Sequence, residues 1–293
     1  MLGDKKNSIE VLCDGGGEYG YGHIRRSYTL AKALEREKYQ VKYTVLSNSK
    51  FLVKPEFTSA EVDPVIQVFD LPYEIKPWAE RARKKNIKTL ALDYFGDERL
   101  LLTVSIYEHR IPLPKGRRLS GLEYAIIRPE ILDFAPAAIG NSIVVMIGGS
   151  DLNRDGERIA SQLSDTGRDI YLIQGPGINE DYSAHIPNVT VLKDPKDLES
   201  RMANCEWAVT NGGGSMMEMM CLGKAIHVVP QTNDELLLAQ IVFNKGAILG
   251  IGHDSLSIPS PEKIQKVGKR AQELVDGRGV HRIIRLIDGI LSE

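Results

Sequence analysis

Short apolar runs alternate with helical patterns along this chain, and the alternation begins a second time near its middle. Residues 8–15 (SIEVLCDG) read as a strand, 24–38 as a helix and 41–48 (VKYTVLSN) as a second strand. Further apolar runs lie at 65–71 (VIQVFDL), 87–95 (IKTLALDYF) and 101–107 (LLTVSIY), with a charged helical segment at 78–86 (WAERARKKN). The pattern restarts at 142–149 (SIVVMIGG), followed by a helix at 154–164, the strands YLIQ and VTVL, and a helix at 195–204. The strand EWAVTNGGG, a helix at 215–222 and the strand AIHVVPQ complete the second series. Apolar runs bounded by turn residues and separated by helices predict buried parallel strands with helical crossovers, an α/β protein.

Two such series imply two doubly wound domains. The segment Pro129–Gly140 (PEILDFAPAAIG) has two prolines and no clear period, and reads as the linker between residues 1–135 and 141–293. Open α/β sheets bind ligands at the carboxyl ends of their strands, so two facing domains would enclose a ligand cleft. The terminal segment 261–291 reads as two charged amphipathic helices with a solvated face.

Composition narrows the function classes. Lys plus Arg number 37 against 39 Asp plus Glu, which argues against a nucleic-acid protein that binds through a basic face. Cys13, Cys205 and Cys221 form no CxxC pair and read as small buried apolar residues in a reducing compartment. No apolar run approaches the length that spans a bilayer, and the stretch MLGDKKNSIE carries no signal-peptide core, so a cytoplasmic protein is expected. No His, Cys and carboxylate cluster has metal-ligand spacing, and no metal or cofactor is expected.

Two glycine-rich stretches carry the chemistry. The first, GGGEYGYGHIRRSYTLAKAL (Gly15–Leu34), is a strand–loop–helix element ending in Gly20-Tyr21-Gly22-His23. Its spacing fits neither a dinucleotide fingerprint nor a P-loop. A helix start favours the neutral imidazole, so His23 is either a general base or a residue that packs at the helix start. One of Arg25 and Arg26 should face the ligand and the other solvent. The second stretch, VTNGGGSMMEMMCLGKAIHVVPQTNDE (209–235), repeats the logic. Ser215 and Glu218 have capping-box spacing there, or else the helix start holds a diphosphate and Glu218 accepts ribose hydroxyls. Asp93, at the end of an apolar strand, is a catalytic candidate in the cleft or a turn-initiating aspartate.

Five segments together resemble the PseG/SpsG group of the GT-B nucleotide-sugar proteins: GYGHIRR (Gly20–Arg26), DYFG (Asp93–Gly96), GLEYAIIR (Gly121–Arg128), MIGGSD (Met146–Asp151) and TNGGGSMME (Thr210–Glu218). The resemblance implies a GT-B fold, with two Rossmann-like domains facing a central cleft, and a UDP-sugar substrate without a metal. It implies His23 as the base that directs water to the anomeric carbon, with Asp93 beside it. Gly149, Ser150, Gly213, Gly214, Ser215 and Glu218 would hold the nucleotide, and Gly20, Gly22, Arg25, Tyr94 and Asn233 would complete the substrate contacts. The group's Asp-His-Tyr-Gly stands here as Asp93-Tyr94-Phe95-Gly96, which moves the phenol one position and to the other face of a strand end. The resemblance as a whole implies hydrolysis of a UDP-sugar, or of another NDP-sugar, for surface glycan synthesis. The alternatives are a glycosyltransferase with the same donor site, or a nucleotide-sugar-binding protein without chemistry.

Overall fold

The computed structural model describes residues 7–16, 19–47, 63–96, 100–108, 117–149, 151, 153–175, 177–178, 182 and 186–292. They pack as two units. The first contains strands β1 (Ser8–Cys13), β2 (Gln40–Val45), β3 (Ile66–Asp70), β4 (Lys88–Leu92), β5 (Leu102–Ser105) and β6 (Arg117–Ser120), with helices α1 (Gly22–Arg36) and α2 (Lys76–Lys84). Its sheet is parallel throughout, in the order β2-β1-β3-β4-β5-β6.

Alternation along β1 explains the layering. Val11 and Cys13 join one core with Leu30 and Leu34 of α1, while Leu12 faces the other way, against Phe69, Ile75, Ala79 and Ala82. On α1 the buried positions Ile24, Ser27, Leu30, Ala31 and Leu34 recur at helical spacing. The helix closes as Lys38 enters the left-handed region (φ 69°) and Tyr39 N–H donates to the Leu34 carbonyl at 3.1 Å.

The second unit runs from Ile127 to Gly277. It contains α3 (Pro129–Leu132), β7 (Ser142–Met146), α4 (Asp155–Leu163), β8 (Ile170–Gln174), β9 (Val189–Lys193), α5 (Leu198–Ala203), β10 (Cys205–Thr210), α6 (Gly214–Cys221), β11 (Ala225–Val228), α7 (Asn233–Asn244), β12 (Gly250–Ile251) and α8 (Pro261–Leu274). The sheet order is β12-β11-β10-β7-β8-β9, again parallel. Ile143 and Val145 pack against Ile159, Ala160 and Leu163 of α4 and against Ile264 and Val267 of α8.

Three expectations are corrected. The second domain does not reach residue 293, because α9 (Gly279–Ser292) belongs to the first unit. Its apolar stripe Val280, Ile283, Ile284, Ile287 and Ile290, one face of the amphipathic helix read there, completes the core around β1 and β3. The segment Pro129–Gly140 is no free linker. It lies in the second unit, where Ala137 N–H donates to the Leu222 carbonyl at 3.0 Å and Gly140 N–H to the Cys205 carbonyl at 3.1 Å. The buried Lys224 ammonium fastens it further by donating to the Ala138 carbonyl. Finally, RRLS (β6) was not read as a strand: it is the polar, half-exposed edge of its sheet and carries no apolar run.

Candidate active site

Each unit gathers one set of candidate residues at the carboxyl ends of its strands. In the first unit, β1 leads into a loop that closes on itself. Gly16 N–H donates to the Gly20 carbonyl at 2.6 Å, and Tyr19 N–H donates to Gly16 at 3.1 Å. Gly20 takes φ 65°, a conformation a side chain would strain, and the chain then enters α1 at Gly22. His23 is the second residue of that helix. Neighbouring β3 ends at Asp70, paired in register with Cys13, so its carboxylate comes up beneath α1.

Asp70 is the centre of the arrangement, although nothing in the sequence reading singled it out. His23 Nδ1 lies 2.7 Å from Asp70 Oδ1. Arg26 donates from Nε to Oδ2 at 2.8 Å and from Nη2 to Oδ1 at 2.6 Å. Ser27 Oγ sits 2.6 Å from both Oδ2 and the His23 carbonyl, so its single proton serves one of them at a time. The Asp70 side chain is fully buried, against 27% exposure for His23. Burial by itself would push the Asp70 carboxyl up; the Arg26 guanidinium and the His23 ring outweigh it and hold the group well below the usual carboxylate range.

An ionised Asp70 can only accept, which fixes the tautomer of its partner. In its neutral form His23 carries its proton on Nδ1 and donates it to Asp70, which leaves the lone pair on Nε2. Arg26 Nη2 is 3.2 Å from His23 Nδ1, but both nitrogens bear hydrogen and both aim at the same Oδ1.

Asp93 enters the cluster through Arg26. It follows β4 in the left-handed region (φ 50°), its Oδ1 accepts Ile106 N–H at 2.8 Å, and its Oδ2 accepts from Arg26 Nη1. Of the two arginines, Arg26 joins the cluster and Arg25 is exposed. Gly22 is exposed at the helix start. Tyr94 packs half-buried against the cluster of Leu12, Phe69 and Ile75. Phe95 meets Tyr107 edge to face at 5.7 Å and carries the Arg118 guanidinium 5.0 Å from its ring centre.

In the second unit, β7 and β10 are adjacent, with Val145 opposite Val209, and each ends in a glycine loop. Gly148-Gly149 follows β7 and Asn211-Gly212-Gly213 follows β10. The loops close on the Asn211 amide: a Cβ at Gly148 would stand 3.0 Å from Asn211 Nδ2, and one at Gly213 3.2 Å. Asn211 Nδ2 donates to Glu235 Oε1 at 2.5 Å, and Gln231 N–H donates to Glu235 Oε2 at 2.7 Å. A side chain at Gly212 would strike the Glu235 carbonyl at 2.5 Å, so only glycine admits this approach. Burial raises the Glu235 carboxyl against these hydrogen bonds.

Helix α6 begins one residue before the expected cap. Gly213 is its N-cap and makes no side-chain cap bond, so Ser215 lies inside the helix and the expected capping box with Glu218 does not form. Three glycines let the backbone reach helical geometry early, and the first amides of α6 stay clear of any cap. Glu218 is engaged elsewhere: Arg128 Nε donates to its Oε1 at 2.7 Å and Nη2 to its Oε2 at 3.3 Å. Gly149 is half-buried, Gly214 exposed, and Asn233 is the exposed first residue of α7. Ser150, His109 and His185 lie outside the described residues. Among the described residues no three His, Cys, Asp or Glu side chains gather as metal ligands, and no helix is long and apolar enough to cross a membrane.

No family model matches the chain. It is similar to the spore coat polysaccharide biosynthesis protein SpsG of Bacillus subtilis, 22% identical over 341 aligned residues that cover 97% of this chain and 99% of the relative. Among solved structures it is similar to MurG of Acinetobacter baumannii, at 13% identity with a TM-score of 0.69 over 96% of this chain and 99% of that one. The fold is GT-B. It is also similar to the UDP co-structure of MnaA from S. aureus, at 12% identity with a TM-score of 0.63 over 98% of this chain and 97% of that one. In this GT-B chain the β10–α6 glycine loop and the His23–Asp70 pair belong to different units.

Proposed function

We propose that this GT-B protein is a UDP-sugar hydrolase of surface polysaccharide biosynthesis, with His23 as its general base. The observation that carries the reading is the 2.7 Å contact between His23 Nδ1 and the buried, ionised Asp70, which leaves Nε2 as the proton acceptor. In the reaction, Nε2 takes a proton from water as the oxygen bonds to the anomeric carbon. The bond from that carbon to the diphosphate oxygen breaks, and UDP leaves with the electron pair, inverting the configuration. Asp70 accepts a hydrogen bond from the imidazolium that forms and needs no proton itself. Arg26 is a positioning residue that keeps Asp70 ionised, and Asp93 accepts from Arg26 and holds the guanidinium in place.

The leaving diphosphate is assigned to the second unit, at the uncapped start of α6 with Gly149, Ser150, Gly213, Gly214 and Ser215. Amides and a helix dipole there stabilise the negative charge that develops on departure. Glu218, whose carboxylate also accepts from Arg128, is assigned to the ribose hydroxyls, and Asn233, Gly20, Gly22, Arg25 and Tyr94 to further substrate contacts. The name of SpsG supports the polysaccharide context, and the UDP held by MnaA supports the nucleotide.

The test is release of free UDP from a panel of UDP-sugars, with EDTA present and no acceptor, comparing wild type with His23→Gln. Turnover by wild type and its loss in the variant are expected. If UDP binds and no donor is hydrolysed until a hydroxyl acceptor is supplied, the protein is a transferase and the hydrolase assignment is overturned.

A further inference from the structure

The β1–α1 segment and the carboxyl end of β3 with the turn that follows it are tied together twice. One tie is His23 to Asp70. The other is Tyr73 to Asp14: the Tyr73 hydroxyl donates to Asp14 Oδ2 at 2.6 Å, while Asp14 Oδ1 accepts Gly15 N–H at 2.8 Å. Because β1 and β3 are neighbours, the two ties run side by side across the same pair of strand ends.

The second tie brings an aromatic run with it. Tyr19 meets Tyr73 edge to face at 6.0 Å, and Tyr73 meets Trp78 of α2 at 5.9 Å. Tyr73 and Trp78 pack against the cluster of Leu71, Ile75 and Ala79, so the run is anchored from below. Tyr19, at its outer end, is 46% exposed and sits four residues before His23 in the loop closed by Gly16 and Gly20. Burial would raise the Asp14 carboxyl, but the Tyr73 hydroxyl and neighbouring amides lower it on balance, and an ionised carboxylate therefore borders the rings.

We propose that the exposed Tyr19 ring, braced by its edge-to-face contact with Tyr73, forms a stacking platform for the pyranose ring of the sugar nucleotide, with Asp14 accepting from one of its hydroxyls. This rests on the reading of His23 as the base acting at the anomeric carbon. A pyranose has an apolar C–H face rimmed by hydroxyls, and an aromatic face bordered by a fixed carboxylate matches both parts. The nucleotide lies outside this platform, so its affinity should be independent of it.

Calorimetric titration with UDP and with UDP-N-acetylglucosamine separates the possibilities. Wild type should bind the sugar nucleotide more tightly than UDP. Tyr19→Ala should weaken UDP-N-acetylglucosamine about tenfold and leave UDP unchanged, while Tyr19→Phe keeps wild-type affinity for both. Unchanged UDP binding certifies the second unit, and a wild-type thermal unfolding profile certifies that the first unit, which holds Tyr19, is folded. Wild-type affinity of Tyr19→Ala for UDP-N-acetylglucosamine overturns the platform, as does equal binding of the two ligands by wild type, and in either case the nucleotide reading survives. Failure of wild type to bind either ligand removes the nucleotide reading and the platform together.

Discussion

His23 and Asp70 are joined by one hydrogen bond of 2.7 Å whose direction is forced, because the fully buried carboxylate is ionised and can only accept. Asp70→Asn breaks that logic at constant shape. An amide turned with its NH2 toward His23 would hold the tautomer protonated on Nε2, which has no lone pair for water. UDP release should fall by about 10²–10⁴-fold, the usual worth of a general base, with UDP affinity unchanged. Initial rates alongside UDP titration check it, and full activity of the variant would sink the role of Asp70.

The same carboxylate governs acid stability. Its folded pKa lies below the ordinary aspartate value, so its stabilisation is present above that value and is lost as pH falls through the window beneath it. Arg26 keeps Asp93 as a partner, so losing Asp70 should cost less than the about 3–5 kcal/mol of a buried charge left wholly unpaired. Urea unfolding of wild type and Asp70→Asn from pH 7 down to 2.5 should show a gap that is widest at pH 7 and narrows below about pH 4.

Glu235 has the opposite sign. Burial raises its folded pKa, so its contribution is fully present at low pH and declines as pH rises through the ordinary glutamate value. Glu235→Gln loses the acceptor for Gln231 N–H and should be less stable than wild type. The difference between the two proteins should shrink as pH rises from 4 to 7, measured by denaturant unfolding at each pH.

The three thiols should be inert in the folded protein. Burial pushes Cys13 and Cys205 up to about 12 and Cys221 to about 11. Since the thiolate is the nucleophile, a thiol reagent at pH 8 should label none of them until urea is added. Rapid labelling of native protein would contradict the burial described here.

The strand–loop–helix context of His23 was readable because a glycine loop between a strand and an amphipathic helix is a local pattern. Asp70 was not, being the last polar letter of an apolar run 47 residues away from His23, and only the adjacency of β1 and β3 unites them. The choice between Arg25 and Arg26 was closer to hand. His23, Arg26, Ser27 and Leu30 share one helical face and Arg25 lies off it, so the spacing of buried α1 residues already carried the signal. The capping-box reading of Ser215 and Glu218 failed because three consecutive glycines set no sharp helix start, and Gly213 took the cap. The role of α9 could not be read locally, since an amphipathic stripe does not say which core it covers.

The chain leaves its first unit at Ile126 and returns to it only at Arg278. A ribosome therefore delivers the whole Ile127–Gly277 unit before the isoleucines that finish the earlier one. The usual order of domain completion during synthesis is reversed: the part encoded later can close first, while β1 and β3 wait for Ile283, Ile284, Ile287 and Ile290 to emerge. The segment bearing His23 and Asp70 thus gains its full core only once α9 has emerged, and nascent chains stalled before Arg278 should carry a finished second unit and an unfinished first one.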